Sequence, residues 1–253
     1  MKPELKSLIR STVQQARKLL IQETHDQLEG LYGLRNDGSF ESVDNLPHIQ
    51  NDAEHQKILL ELIHFINIEE KAGLAKKDAV NKLIKETAFT HLNRLTAFKM
   101  MEARKLLRGT VNKGADSNGF KFYLAEHPDA LAQYRVGKTD EAYQGFLLWQ
   151  CGQIAAKDHL EMLFQPDNLP SKLFPRPLAL KQLLDLMNAD NLQDAWQQDE
   201  TIGWVYQYFI EEDKDRVFHK IYQQKQKMGL REIPMATQIF TPRWIVEYLV
   251  HNT

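Results

Sequence analysis

The sequence predicts a mainly α-helical fold of many helices, and three observations predict it. Apolar residues recur every three or four positions through several long stretches, which lays them along one side of a helix. Glycine and proline, the residues that interrupt helices, number only 12 and 9 in 253. The one alternating run, Phe120-Lys121-Phe122-Tyr123-Leu124, is too short to decide between strand and helix.

The elements follow in order. Leu5, Leu8, Ile9, Val13, Ala16, Leu19 and Leu20 recur at helical spacing with Lys6, Arg10, Gln14, Arg17 and Lys18 between them, so a helix is expected over 4–29. It ends near Gly30 and Gly33, and Asn36-Asp37-Gly38-Ser39 is a turn by composition. Ile58, Leu59, Leu62, Ile63 and Ile66 are the apolar stripe of a second helix over 52–69. The longest pattern starts near Lys77, carries Val80, Leu83, Ile84, Ala88, Leu92, Leu95 and Met101, and is expected to end by Gly109. A loop over 109–119 precedes helices over 129–135, 139–164 and 178–187. Pro166, Pro170, Pro175 and Pro177 mark a stiff connector and the expected domain boundary, which sets a helical domain over 1–165 apart from a helical segment over 178–232. Helices over 201–212, 216–228 and 242–250 complete the chain. The last has Thr241 as cap and Pro242 at its first position.

Charge and composition narrow the function. Lys and Arg total 32 against 34 Asp and Glu, a net charge of −2, which excludes a module that holds nucleic acid by bulk positive charge. Cys151 stands alone, so no internal disulfide forms, as suits a reducing cytoplasm. The start lacks the apolar core of a signal peptide. The richest apolar stretch, 58–68, is broken by Glu61, His64 and Asn67, so no membrane span is expected. The histidines lack His-Glu-x-x-His spacing or a cysteine partner, so no metal site is expected.

The most specific signal is the run over 233–250, Ile-Pro-Met-Ala-Thr-Gln-Ile-Phe-Thr-Pro-Arg-Trp-Ile-Val-Glu-Tyr-Leu-Val. It resembles the opening motif of the adenine-specific DNA methyltransferases, whose Gln-x-Phe-Thr-Pro element precedes the catalytic sheet domain and touches S-adenosylmethionine. Three further stretches narrow the resemblance to the large methyltransferases of the BREX phage-defence system: 202–209 (Ile-Gly-Trp-Val-Tyr-Gln-Tyr-Phe), 92–102, and Ala16-Arg17-Lys18-Leu19-Leu20. The resemblance implies the amino-terminal region of a DNA adenine methyltransferase, truncated before its α/β sheet domain, with 233–253 as the incomplete start of the S-adenosylmethionine-binding domain. It implies cofactor contacts at Gln238, Phe240, Thr241 and Pro242, double-stranded DNA as substrate, and other defence-system proteins as possible partners. The family's cofactor-cradling glycine turn is absent, as is its (Asn/Asp)-Pro-Pro-(Tyr/Phe) tetrapeptide, which holds a flipped base. The chain therefore carries no catalytic residue of its own and is expected to be inactive alone, as the front part of a longer protein. Two alternatives stay open: a non-catalytic helical adaptor that binds DNA or a defence partner, and the modification part of another restriction–modification enzyme.

Read from the residues alone, a helix start at Phe240-Thr241-Pro242 offers free amides and positive dipole to a carboxylate, such as that of a methionyl group. The Thr241 hydroxyl either caps its own helix or reaches the ligand. Two basic clusters bear on DNA. Arg94, Lys99, Arg104, Lys105, Arg108 and Lys113 face only Glu102 in their window, and 216–231 holds no acid at all. Arg216, Lys220, Lys227 and Arg231 recur at helical spacing, so they can line one face and neutralise phosphates without reading bases. The same pattern also describes a solvated helix face. His91 and Cys151 read as buried core residues. Trp149, Trp196, Trp204, Tyr206 and Tyr208 read as core aromatics rather than base-stacking platforms. The run Glu211-Glu212-Asp213 reads as a solvated helix end.

Overall fold

A computed structural model describes residues 1–158, 160–229, 232–241 and 243–252, apart from the side chains of Lys157, Asp158 and Met235. The helices run α1 (Pro3–Gly30), α2 (Pro47–Gln50), α3 (Ala53–Lys71), α4 (Lys76–Ala103), α5 (Asn118–Glu126), α6 (Pro128–Arg135) and α7 (Thr139–Asp158). They continue with α8 (Glu161–Phe164), α9 (Leu169–Lys172), α10 (Pro177–Met187), α11 (Thr201–Tyr222), α12 (Ile233–Thr237) and α13 (Arg243–His251). Among the described residues no strand forms, and the one β contact is an isolated bridge between Leu34 and Phe40. The mainly α prediction is thus met. The chain divides into two compact units, one of Ala16–Asn188 and one of Met1–Gln15 with Ala189–Thr253.

The larger unit packs α3 and α4 over a core of Leu28, Ile49, Leu62, Ile66, Leu83 and Leu173. Asp52 is the N-cap of α3, and its Oδ1 accepts the amides of Glu54 and His55 at 2.9 and 3.1 Å. α4 ends at Ala103, six residues short of Gly109. Lys105, at φ 60°, closes it in a Schellman arrangement: Leu106 N–H donates to the Met101 carbonyl at 2.9 Å and Lys105 N–H to that of Glu102 at 3.0 Å. Sequence reasoning waited for a glycine there, and a left-handed lysine does the work.

The alternating run 120–124 is helical. Ser117 caps α5 through the Phe120 amide, Phe120 and Leu124 are buried one turn apart, and Phe122 faces out. Burial, not alternation, chose the period, because Phe120 packs between the rings of Tyr143 and Phe146 at centroid distances of 5.4 and 5.7 Å. The single helix expected over 139–164 is two, α7 and α8. α8 ends at Phe164, and Arg94 takes the carbonyls of Leu163 and Gln165 at that end. The proline-bearing stretch 166–177 lies inside the larger unit, where it forms α9 and delivers Leu173 to the core.

In the smaller unit, Ile9, Val13, Leu192, Trp196, Val205, Phe209 and Val217 are buried. α11 is one continuous helix where two were expected, and it stops at Tyr222, not at 228. Glu211, Glu212 and Asp213 therefore lie mid-helix. Glu211 accepts from Arg10 at 2.7 Å and Gln14 at 3.0 Å, and Asp213 is buried. Bonded acids of this kind need no break in the helix, which corrects their reading as a solvated end.

Candidate functional site

α12 ends at Thr237 and is capped by Gln238, whose backbone N–H donates to the Pro234 carbonyl at 2.9 Å while its extended backbone leads the chain into Ile239-Phe240-Thr241. Three contacts from the first two turns of α11 fix this corner. The Tyr206 hydroxyl donates to Gln238 Oε1. The Gln207 side-chain oxygen accepts the Phe240 backbone N–H at 3.0 Å. The Phe240 ring lies over Gly203 and meets Trp204 at a 5.6 Å centroid distance and 63°. Trp204 in turn stacks on Tyr208 at 5.6 Å and carries the Lys6 ammonium 4.1 Å above its ring.

Phe240 is half-buried, and Gln238 and Thr241 are exposed. Pro242 lies outside the described residues. Beyond it, Arg243 pairs with Glu247 at 2.7 Å, and α13 buries no side chain, with Trp244 68% exposed and Tyr248 65%. Burial raises the Tyr206 hydroxyl above the ordinary phenol range, so it stays a neutral donor to Gln238. Sequence reasoning took Trp204, Tyr206 and Tyr208 as core. They are half-buried, and Trp204 and Tyr206 touch the motif side chains directly. Gly203 and Gln207 were read only as part of the family stretch 202–209 and given no role at the corner, although a glycine in the first turn of an aromatic-rich helix was a readable signal of a close approach.

The basic residues do not share one helix. Arg216 lies 3.3 Å from Asp213 and 3.7 Å from Glu212. The Lys220 ammonium donates to Glu232 Oε1 at 2.8 Å, and this bond, with the Gly229 amide, holds the Glu232 carboxyl below its ordinary range. Lys227 is exposed beyond the end of α11, and Arg231 lies outside the described residues. The acid-free window therefore meets acids from either side of itself. The upstream cluster is likewise dispersed. Arg94 and Lys99 are buried, Lys99 donates to Asn188 at 2.5 Å, and Arg108 lies 4.3 Å over the Phe122 ring.

His91 and Cys151 are buried, as their positions implied. His91 Nε2 is 3.2 Å from the Leu173 carbonyl, and burial, with Arg94 nearby, pushes its pKa down to about 4. Burial lifts the Cys151 thiol to about 11 against the opposing pull of Arg94, so it is not a thiolate nucleophile. Among the described residues no three His, Cys, Asp or Glu side chains are grouped to hold a metal, and no helix is long and apolar enough to cross a membrane.

The structure in hand is an all-α region whose last helices carry a Gln-x-Phe-Thr corner bound to an upstream aromatic helix. No family model matches the chain. It is similar to the adenine-specific methyltransferase BrxX of Escherichia coli O9:H4 (strain HS), 31% identical over 71% of this chain and 16% of that protein. It is also similar to the adenine-specific methyltransferase PglX of Lacticaseibacillus casei (strain Zhang), 30% identical over 98% of this chain and 23% of that protein. The chain belongs to the BREX adenine-specific methyltransferase family. It spans less than a quarter of the length of these curated relatives.

Proposed function

We propose that the chain is the amino-terminal region of a BREX-type DNA adenine methyltransferase that uses S-adenosylmethionine, and that residues 233–253 open its cofactor-binding domain. The observation that carries this reading is the corner itself: Phe240 is held from behind by α11, and Thr241 is left exposed at the foot of α13. Such a corner fits one end of a cofactor. Gln238, Phe240, Thr241 and Pro242 would contact it, and the free amides at the start of α13 would favour its carboxylate. Bound S-adenosylmethionine supplies the electrophilic methyl group. The residues of this chain orient it, and the target base is held by residues outside this sequence, so the chain alone turns over no substrate. Double-stranded DNA is the substrate in this reading, and Lys227, exposed beyond the end of α11, is a candidate phosphate contact. The same reading places the protein in the cytoplasm.

Labelled methyl transfer to DNA tests it. The full-length protein should transfer label, and its Thr241→Val variant should need a higher cofactor concentration. The 253-residue chain should give background only. Turnover by the chain alone, or a full-length protein that binds no cofactor, would reject the reading and favour a non-catalytic adaptor.

A further inference from the structure

The stretch Gly203-Trp204-Val205-Tyr206-Gln207 and the Gln238–Thr241 corner stand more than thirty residues apart in sequence, yet they interlock atom by atom. Gly203 is the decisive position. A Cβ built there would lie 2.6 Å from Phe240 Cζ, and closer still to Cε2 and Cδ2, far inside van der Waals contact. The ring edge therefore occupies the space that any other side chain would fill. The backbone that carries the ring is held in place, its N–H bound by Gln207 at 3.0 Å and Gln238 by Tyr206, so a Cβ at 203 would have to turn the ring itself off α11. A glycine inside a helix sacrifices helix stability relative to alanine, so its presence here is explained by the ring and not by α11. The interlock leaves Thr241 exposed.

We propose that Gly203, Tyr206 and Gln207 are positioning residues: they form a seat on α11 that sets the Phe240-Thr241 corner in the conformation that receives the cofactor. The proposal rests on the cofactor reading given above. They touch no reacting atom and act through Phe240 and Gln238.

The test uses Gly203→Ala, Gln207→Leu and the conservative Gln207→Glu, which keeps an acceptor for the Phe240 amide. Hydrogen exchange is read at 238–241 in the 253-residue chain, and cofactor affinity is read calorimetrically in the full-length protein. Gly203→Ala and Gln207→Leu should speed exchange at the corner and weaken cofactor binding, on the order of tenfold, because a loosened supporting shell misplaces the group it holds. Gln207→Glu should retain most of both. In a Phe240→Leu background, Gly203→Ala should add little, since the smaller side chain leaves room for the methyl group. If Gly203→Ala raises stability and leaves both exchange and affinity unchanged, the seat is overturned. Faster exchange with unchanged affinity would instead overturn the cofactor reading of the corner, and with it the positioning role.

Discussion

Arg176 closes on Glu23 with three bonds across 153 residues of sequence: Nε to Oε1 at 2.8 Å, Nη2 to Oε2 at 2.9 Å, and its own backbone N–H to Oε1 at 2.9 Å. Gln27 adds a fourth, at 2.7 Å. The pair joins α1 to the N-cap of α10 within the larger unit, so the exit from the proline stretch is tied to the first helix. Burial works to raise the Glu23 carboxyl, but the bonds from Arg176 and Gln27 outweigh it and hold the group below its ordinary range.

Glu23→Ala should therefore destabilise the chain by about 1 kcal/mol, since it removes four bonds to a largely buried carboxylate while the half-exposed Arg176 regains water. Glu23→Gln should cost less, because an acceptor oxygen remains. Urea unfolding of both variants measures the difference; a cost within error for Glu23→Ala would mean the pair is solvent-screened despite its geometry.

Stability should fall with acid in two stages. His91 is held neutral, with its pKa moved from 6.5 down to about 4, so the unfolded chain takes the proton first. Between those values the unfolded state binds more protons, and stability is lost as pH drops through the window, by about 3 kcal/mol in all. Glu23 acts lower. Its depressed carboxyl stabilises the fold above the ordinary carboxylate range and loses that contribution as pH falls through its folded value. Unfolding midpoints at pH 7, 6, 5 and 4 should fall for the native chain and stay nearly flat over that range for His91→Gln.

Arg94 is 2% exposed, and among the described residues it pairs with no carboxylate. Its guanidinium donates to the Leu163 carbonyl at 2.6 Å, the Gln165 carbonyl at 2.8 Å and Ser171 Oγ at 2.7 Å, which clamps the chain between α8 and α9 onto α4. Arg94→Met fills similar volume but leaves those acceptors dry, at a cost of about 3 kcal/mol. Amide exchange over 160–172 should quicken more than exchange in α3. A uniform change across the unit would argue against a local clamp.

The basic residues around the end of α11 should separate by partner. If the full-length protein binds DNA, Lys227→Ala should flatten the log–log salt dependence of affinity by about one unit, as one lost phosphate contact does. Lys220→Ala should change that slope less, because its ammonium already serves Glu232. Anisotropy titrations on two unrelated duplexes check both, and a loss confined to one duplex would mean base readout.

Much of this was legible in the sequence because it is local. The stripes of α1 and α3 and the burial of His91 follow from spacing and residue type within a few turns. The family, too, was legible, since the motif over 233–250 is contiguous. What escaped was decided by residues far apart in the chain. Arg94 looked like one member of a basic cluster, but it is buried against its partners at Leu163, Gln165 and Ser171. The acidic run looked like a helix end until Arg10 and Gln14, some 200 residues away, supplied its bonds. The Gly203–Phe240 contact belongs to the same class. Helical period and capping are set by short-range backbone energetics and can be read along the chain. Which buried polar group meets which carbonyl, and which glycine makes room for which ring, depends on packing between segments, and only the tertiary structure decides it.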